Sequence, residues 1–128
     1  FIDRKKNIIR RSGENISAVE IEATLLGLKG IKNVAVCAYP HDIYEEEVLA
    51  FIILKNNKNK NLQYAKNILN ILNKKLTYFK LPAYIQFTDS LPITSSQKIM
   101  KKDLLKKIKK KKNKNFYDLS ELKRKLKT

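Results

Sequence analysis

The sequence predicts an α+β domain in which helices flank a small mixed β-sheet, with elements in the order β-β-α-β-β-α-β-α. Three stretches carry this prediction. Residues 47–54 are almost entirely apolar over the length of one strand, a pattern typical of a strand buried on both faces. Residues 18–28 and 62–77 repeat apolar residues at helical spacing, so each is predicted to be an amphipathic helix.

The first residues are predicted to form a two-stranded ribbon from residues 1–5 and 7–11, with its turn near Lys6. Ser12 and Gly13 then interrupt the second strand, because glycine accepts φ > 0 and lets another backbone come close. Basic residues flank this loop, and its exposed backbone N–H groups would suit a phosphate or a polar chain. Physics alone favours the plainer interpretation of an ordinary strand, turn and helix.

A helix start follows the loop. Ser17 is a good N-cap, and Glu20 three residues later completes a capping box. Ile16 and Ile21 form the matching hydrophobic staple. Together these devices contribute on the order of 1–2 kcal/mol and fix the angle at which the loop enters the helix. The inward face of this helix is predicted to carry Ala18, Ile21, Leu25 and Leu28.

Residues 33–39 and 47–54 are predicted to be neighbouring strands joined by a polar loop. His41, between Pro40 and Asp42, is interpreted as a turn residue rather than a catalytic base. The three successive glutamates at 45–47 are predicted to form a solvated loop or strand edge.

The second half of the chain is predicted to contain a charged loop at 55–61, a helix at 62–77, a short strand at 83–87 and a basic helix at 100–111. The last residues, 112–128, form a basic tail that could be a short helix. The stripe of the helix at 62–77 consists of Ala65, Ile68, Leu69, Leu72 and Leu76.

Composition bounds the possible functions. The chain has 128 residues and a formal net charge of +16, which would suit a nucleic-acid binder. The lysines are spread over the whole chain, however, and they are not interleaved with the aromatic residues that stack on bases.

Cys37 is the single cysteine, and its apolar neighbours indicate a buried small hydrophobe. No apolar run reaches the roughly 18 residues of a membrane span, and a cytoplasmic location is expected.

Two motifs resemble the small C-terminal domain of the adenylate-forming superfamily, which holds acyl-CoA synthetases, adenylation domains of peptide synthetases, and luciferases. The first motif comprises Asp3-Arg4, Ile8-Ile9, Gly13-Glu14-Asn15 and Glu20-Ile21-Glu22. The second is Leu91-Pro92-Ile93-Thr94-Ser95-Ser96-Gln97-Lys98-Ile99. The resemblance implies that residues 1–111 are this domain, that 112–128 are the basic tail, and that the chain is a fragment lacking an N-terminal domain.

The resemblance also implies roles for individual residues. Lys98 would contact the ATP α-phosphate and the substrate carboxylate, with Gln97 standing where the family usually has glycine. Arg4 would lie near the nucleotide ribose, and Lys6 would be the hinge about which the domain swings. On the CoA side the resemblance implies phosphate contacts from Arg10 and Arg11 and a pantetheine-facing loop of Ser12, Gly13 and Glu14.

The expected activity is that of an AMP-forming acyl-CoA ligase, whose mobile domain rotates between two half-reactions. Its substrates would be a carboxylic acid, ATP and CoA, with Mg²⁺ held mainly by ATP and the N-terminal domain. The first motif is most similar to ligases of small or medium acids, crotonobetaine/carnitine–CoA ligases among them. A peptide-synthetase adenylation domain and a non-enzymatic basic nucleic-acid-binding module are the alternatives. The 128-residue chain by itself is expected to be inactive.

Overall fold

The computed structural model describes residues 8–56, 61–89 and 116–126. Several predicted features lie outside the described residues: the ribbon strand at 1–5, Arg4, Lys6, the motif around Lys98 and the helix at 100–111. The prediction that residues 55–61 form one charged loop falls partly on described residues, because Asn61 caps the helix that follows.

Six strands form one mixed sheet flanked by helices, which confirms the predicted fold class. The strands are β1 (Ile8–Arg11), β2 (Glu14–Ser17), β3 (Ile31–His41), β4 (Glu45–Leu54), β5 (Tyr84–Phe87) and β6 (Phe116–Asp118). The helices are α1 (Ala18–Leu26), α2 (Leu62–Asn73) and α3 (Ser120–Lys125), and Tyr78–Lys80 form one 3₁₀ turn. The sheet runs β2-β1-β4-β5-β6, with β3 also paired to β4. All pairings are antiparallel except that of β4 with β5.

The first described hairpin is a pairing that the sequence analysis did not predict, and the ribbon predicted between residues 1–5 and 7–11 stays a prediction. Ser12 and Gly13 do interrupt β1, but the chain turns back at once and pairs β2 with β1, Arg11 facing Glu14. Both turn residues have positive φ, 50° for Ser12 and 86° for Gly13. Positive φ at both central residues is the signature of the two-residue type I′ hairpin, whose twist matches that of the strands. The order in the described residues is therefore β-β-α-β-β-α-β-β-α.

Helix α1 begins as predicted. The Ser17 hydroxyl accepts a hydrogen bond from the Glu20 backbone N–H at 3.3 Å, and the staple residues Ile16 and Ile21 are fully buried. The Glu20 carboxylate, by contrast, binds Lys80 Nζ at 2.9 and 3.0 Å. The N-cap therefore forms, and the Glu20 carboxylate links α1 to the 3₁₀ turn through Lys80.

Strand β4 is buried on both faces, as predicted. Its even-numbered residues, Val48, Ala50, Ile52 and Leu54, belong to the main core, which also holds the buried residues of α1 and α2. Leu49 and Phe51 point to the other face and pack with Ala35 and Cys37. Cys37 is 5% exposed, which confirms that it is a buried small hydrophobe.

The whole predicted stripe of α2 is buried, and all of its residues except Leu76 lie in the helix. The helix begins after Asn61, whose side chain accepts a hydrogen bond from the Tyr64 N–H at 2.8 Å. The helix ends at Asn73, earlier than predicted, although Leu76 beyond it is still buried.

Residues 116–126 lie within the predicted basic tail, and they contribute a strand and a helix to the fold. β6 pairs antiparallel with β5, and Leu119 between β6 and α3 is buried in the main core. Within the described residues, no helix is long and apolar enough to cross a membrane.

Candidate functional site

The β1–β2 turn presents three of the predicted site residues together. Ser12, Gly13 and Glu14 are all exposed at the end of the hairpin. The Ser12 backbone N–H donates to the Tyr44 carbonyl oxygen at 2.9 Å, which joins this turn to the neighbouring β3–β4 loop. The turn is therefore an exposed loop whose base is anchored to a second loop.

The two arginines before the turn face opposite ways, because successive side chains of a strand alternate between its faces. Arg10 is exposed, and its backbone N–H donates to the Glu46 carboxylate at 2.8 Å. Arg11 is only 7% exposed and points inward. Of the two arginines, only Arg10 therefore has its side chain in solvent.

Glu47 joins two buried cations at the base of the turn. One of its carboxylate oxygens accepts from Arg11 Nε at 2.8 Å, and the other accepts from Lys123 Nζ at 2.7 Å. The side chains of Glu47 and Lys123 are 2% and 1% exposed. The prediction that all three glutamates at 45–47 are solvated is therefore wrong for Glu47. Its charge is tolerated inside the fold because both carboxylate oxygens accept hydrogen bonds from cations.

Aromatic side chains and a backbone carbonyl complete this Arg11–Glu47–Lys123 cluster. The Arg11 guanidinium lies 4.0 Å from the Tyr44 ring centroid, a cation–π distance. Its second nitrogen donates to the Tyr78 hydroxyl at 3.3 Å. Lys123 Nζ also donates to the Phe79 carbonyl oxygen at 3.1 Å. The cluster thus gathers residues from β1, β4, the 3₁₀ turn and α3.

Burial and the neighbouring charges lower the pKa of Lys123 and raise the pKa of Arg11. Desolvation lowers the pKa of Lys123 to about 8, although Glu47 opposes this shift. Desolvation also disfavours the charged form of Arg11, but Glu47 and Tyr78 favour it more, so the pKa of Arg11 is raised. Arg11 therefore stays charged, and Lys123 is the member of the cluster that can lose its proton.

A cavity of about 190 Å³ opens beside the cluster. His41, Ser120 and Arg124 line it together with the cluster residues. His41 was predicted to be a turn residue, but it is the last residue of β3. Its Nδ1 accepts from the backbone N–H groups of Ile43 and Tyr44 at 3.1 and 3.2 Å, so its side chain binds the turn that follows the strand. Within the described ranges, no group of three or more His, Cys, Asp or Glu side chains is placed to hold a metal ion.

The structure thus brings together the predicted residues from Arg10 to Glu14, while Arg4, Lys6, Gln97 and Lys98 lie outside the described residues. Sequence reasoning missed Glu47 and Lys123 as members of a site. One signal for Glu47 was available, since it opens the apolar run that was predicted to be buried. Lys123 stands among many lysines, and nothing local distinguishes it.

Comparisons with known proteins add to this geometry. Residues 20–98 match the family model described as the AMP-binding enzyme C-terminal domain. The chain is 35% identical over 104 residues to a crotonobetaine/carnitine–CoA ligase of Salmonella arizonae, covering 81% of this chain and 20% of that protein. It is 37% identical over 99 residues to a probable CoA ligase of Humulus lupulus, covering 77% of this chain and 17% of that protein.

Solved structures give the same picture. An acyl-CoA synthetase of Brucella canis superposes with a TM-score of 0.76 at 30% identity, over 88% of this chain and 21% of that one. A fatty acyl-CoA synthetase of Mycobacterium tuberculosis superposes with a TM-score of 0.72 at 28% identity, over 82% of this chain and 20% of that one. The chain thus spans about a fifth of the length of the relatives it matches.

Proposed function

The chain belongs to the family of AMP-binding enzyme C-terminal domains, and on this premise we propose that it is the mobile C-terminal domain of an ATP-dependent, AMP-forming acyl-CoA ligase. The whole enzyme would convert a carboxylate and ATP to an acyl-adenylate and pyrophosphate. It would then transfer the acyl group to the thiol of CoA and release AMP. An N-terminal domain would supply the remainder of the active site, and the acid would be small or medium-sized, as in the carnitine-type relatives.

The observation that best supports a role on the CoA side is the exposed turn at Ser12–Gly13. An alanine Cβ placed at Gly13 would meet no atom of the described residues within 4 Å, so the outer side of the turn is open. The Ser12 N–H is already bound to Tyr44. A pantetheine chain would therefore pass along the bare backbone of Gly13 and the side chains of Ser12 and Glu14.

Arg10 is the better placed of the two arginines for a phosphate of CoA. Its side chain is exposed on the strand that leads into the turn, and a guanidinium binds phosphate oxygens with paired N–H groups. Arg11 directs its guanidinium to Glu47 and Tyr78. The contact between Arg11 and CoA remains a prediction.

Lys98 would serve the first half-reaction. Attack of a carboxylate on the α-phosphorus concentrates negative charge, which a compact ammonium group can neutralise. Arg4 would lie near the ribose, Lys6 would be the hinge, and Mg²⁺ would arrive with ATP. Rotation about the hinge would exchange Lys98 for the Ser12–Glu14 turn between half-reactions. A cytoplasmic location is part of the same proposal.

The central experiment is Lys98→Ala in the full-length protein. Pyrophosphate exchange should fall on the order of 100-fold or more, because a group that stabilises the charged transition state is lost. Thioester formation from supplied acyl-adenylate and CoA should persist. Lys74→Ala, at an exposed lysine just after α2, is the matched control and should leave both reactions unchanged.

Intact pyrophosphate exchange in the Lys98→Ala protein would contradict the assignment of this lysine. The 128-residue chain alone should catalyse neither half-reaction.

The alternatives of a peptide-synthetase adenylation domain and a nucleic-acid-binding module find no support in the relatives named above, which are CoA ligases and acyl-CoA synthetases.

A further inference from the structure

Lys123 reaches the CoA-side turn through a short chain of direct contacts. Its Nζ lies 2.7 Å from one oxygen of the Glu47 carboxylate, and the other oxygen lies 2.8 Å from Arg11 Nε. Arg11 is the last residue of β1 and directly precedes Ser12. Glu47 is therefore the single side chain between Lys123 of α3 and Arg11, the residue that precedes the turn.

A second connection runs through Tyr44. The Arg11 guanidinium lies 4.0 Å from the Tyr44 ring centroid, and the Tyr44 carbonyl accepts the Ser12 N–H at 2.9 Å. The Arg11 guanidinium is thus connected to the turn in two ways. One is the backbone of β1, and the other is the β3–β4 loop, which holds Ser12 through the Tyr44 carbonyl. A shift of Glu47 would move Arg11 and loosen both connections.

The cluster has more charge than a single ion pair requires. Arg11 and Glu47 already balance each other, so Lys123 adds a second cation to a buried carboxylate that one cation neutralises. A buried ion pair contributes little net stability, because desolvation opposes the attraction, but it can select one geometry. Lys123 is also held by the Phe79 carbonyl, so its ammonium group has a defined position from which to hold Glu47.

We propose that Lys123 is a positioning residue for the CoA-dependent half-reaction, and that it orients the Ser12–Gly13 turn through Glu47 and Arg11. This inference rests on the proposed function. It gives the segment 116–126 a role in the second half-reaction, in addition to its place in the sheet.

The first test measures the turn itself. In the 128-residue chain, amide hydrogen exchange at Ser12 should be roughly three- to tenfold faster in Lys123→Met than in the wild type, since the N–H bond to Tyr44 opens more often. Methionine keeps the length of the lysine stem and leaves the Arg11–Glu47 pair balanced. Lys125→Met, on the same helix with a side chain 72% exposed, is the matched control and should leave Ser12 exchange unchanged.

The second test measures the half-reactions of the full-length protein. Lys123→Met should slow thioester formation from supplied acyl-adenylate by roughly three- to tenfold more than it slows pyrophosphate exchange. A residue that only stabilises the fold would lower both rates together. Equal losses in both reactions, or unchanged Ser12 exchange, would overturn the inference and leave the proposed function standing. A wild-type enzyme that forms no thioester from acyl-adenylate and CoA would contradict the proposed function itself.

Discussion

Glu47 and Lys123 stand 76 positions apart in the sequence and form a buried ion pair of 2.7 Å. The same carboxylate binds Arg11, which is 36 positions away in the other direction. One acidic side chain of β4 thus fixes the positions of the first described hairpin and of the last helix. This contact depends on the whole fold, because no local pattern brings these three residues together.

Glu47→Gln should lower the free energy of unfolding by about 3 kcal/mol, because it leaves two buried cations without their counter-charge. Lys123 can relieve part of this cost by losing its proton, whereas Arg11 cannot. Urea denaturation of the 128-residue chain at pH 7 measures the change.

Glu46→Gln is the control for this substitution. Glu46 is half-buried, and an amide oxygen can still accept the hydrogen bond from the Arg10 backbone N–H. Its loss should therefore stay below about 1 kcal/mol. Equal effects of the two substitutions would show that the buried cluster has no special weight in stability.

Stability should rise with pH between about 8 and 10 because of Lys123. Burial lowers the pKa of this residue from 10.5 to about 8 in the folded protein. Between these values the unfolded chain binds a proton that the folded chain does not, so raising the pH favours the folded state. Below pH 8 the folded protein carries the buried charge of Lys123 and its full energetic cost. Complete deprotonation of Lys123 in both states would raise the free energy of unfolding by roughly 3 kcal/mol.

Titration of Tyr84 reverses this dependence of stability on pH above about pH 10. Burial, with a smaller effect of Asp118, raises the pKa of Tyr84 from 10.0 to about 12. Above pH 10 the folded protein therefore holds a proton that the unfolded chain releases, and stability should fall as pH rises. Denaturation curves at pH 8, 9 and 10 should show a rising free energy of unfolding in the wild type and a flatter profile in Lys123→Met. The same slope in both proteins would refute the assignment to Lys123.

Elements with a strong local pattern could be predicted from the sequence. The start of α1 follows from Ser17 and Ile16, and the burial of both faces of β4 follows from an apolar run the length of one strand. The stripe of α2 follows from helical periodicity. In each case the residues that determine the structure lie within a few positions of one another.

The β1–β2 hairpin and the buried cluster could not be predicted in the same way. Ser12-Gly13 can end a strand or reverse it, and the choice depends on whether Ile16 in β2 finds a place in the core. Charged residues are normally exposed, so Glu47 was predicted to be solvated, and nothing in the local sequence marked Lys123 as buried. Their burial requires partners that only the tertiary structure supplies, and the same holds for the inward orientation of Arg11.

Gly13→Ala should lower the free energy of unfolding by about 1 kcal/mol. The backbone φ of 86° is unfavourable for a residue with a Cβ, whereas the added methyl group meets no atom of the described residues within 4 Å. The expected loss therefore comes from the backbone alone. Gly27→Ala is the control, because its φ of −78° suits alanine and the change should be neutral or slightly stabilising. Equal losses at the two glycines would contradict the type I′ geometry.

Gly30→Ala should destabilise the protein more than Gly13→Ala does, because two effects combine. Gly30 has the same φ of 86°, and an added Cβ would lie 2.5 Å from the Tyr64 hydroxyl oxygen. This hydroxyl donates to the Lys29 carbonyl at 3.4 Å, so the ring must move and lose that contact. The loss should exceed that of Gly13→Ala by about 1 kcal/mol, measured by urea denaturation.

A double-mutant cycle with Tyr64→Phe separates the two effects. Phenylalanine removes the oxygen that the Cβ would meet, and the ring carbon behind it stands at an ordinary contact distance of 3.8 Å. In the Tyr64→Phe background, Gly30→Ala should therefore cost only the backbone component, about as much as Gly13→Ala. If Gly30→Ala costs the same with and without the hydroxyl, the close approach of Tyr64 to Gly30 has no energetic consequence, and the backbone conformation alone explains the need for glycine.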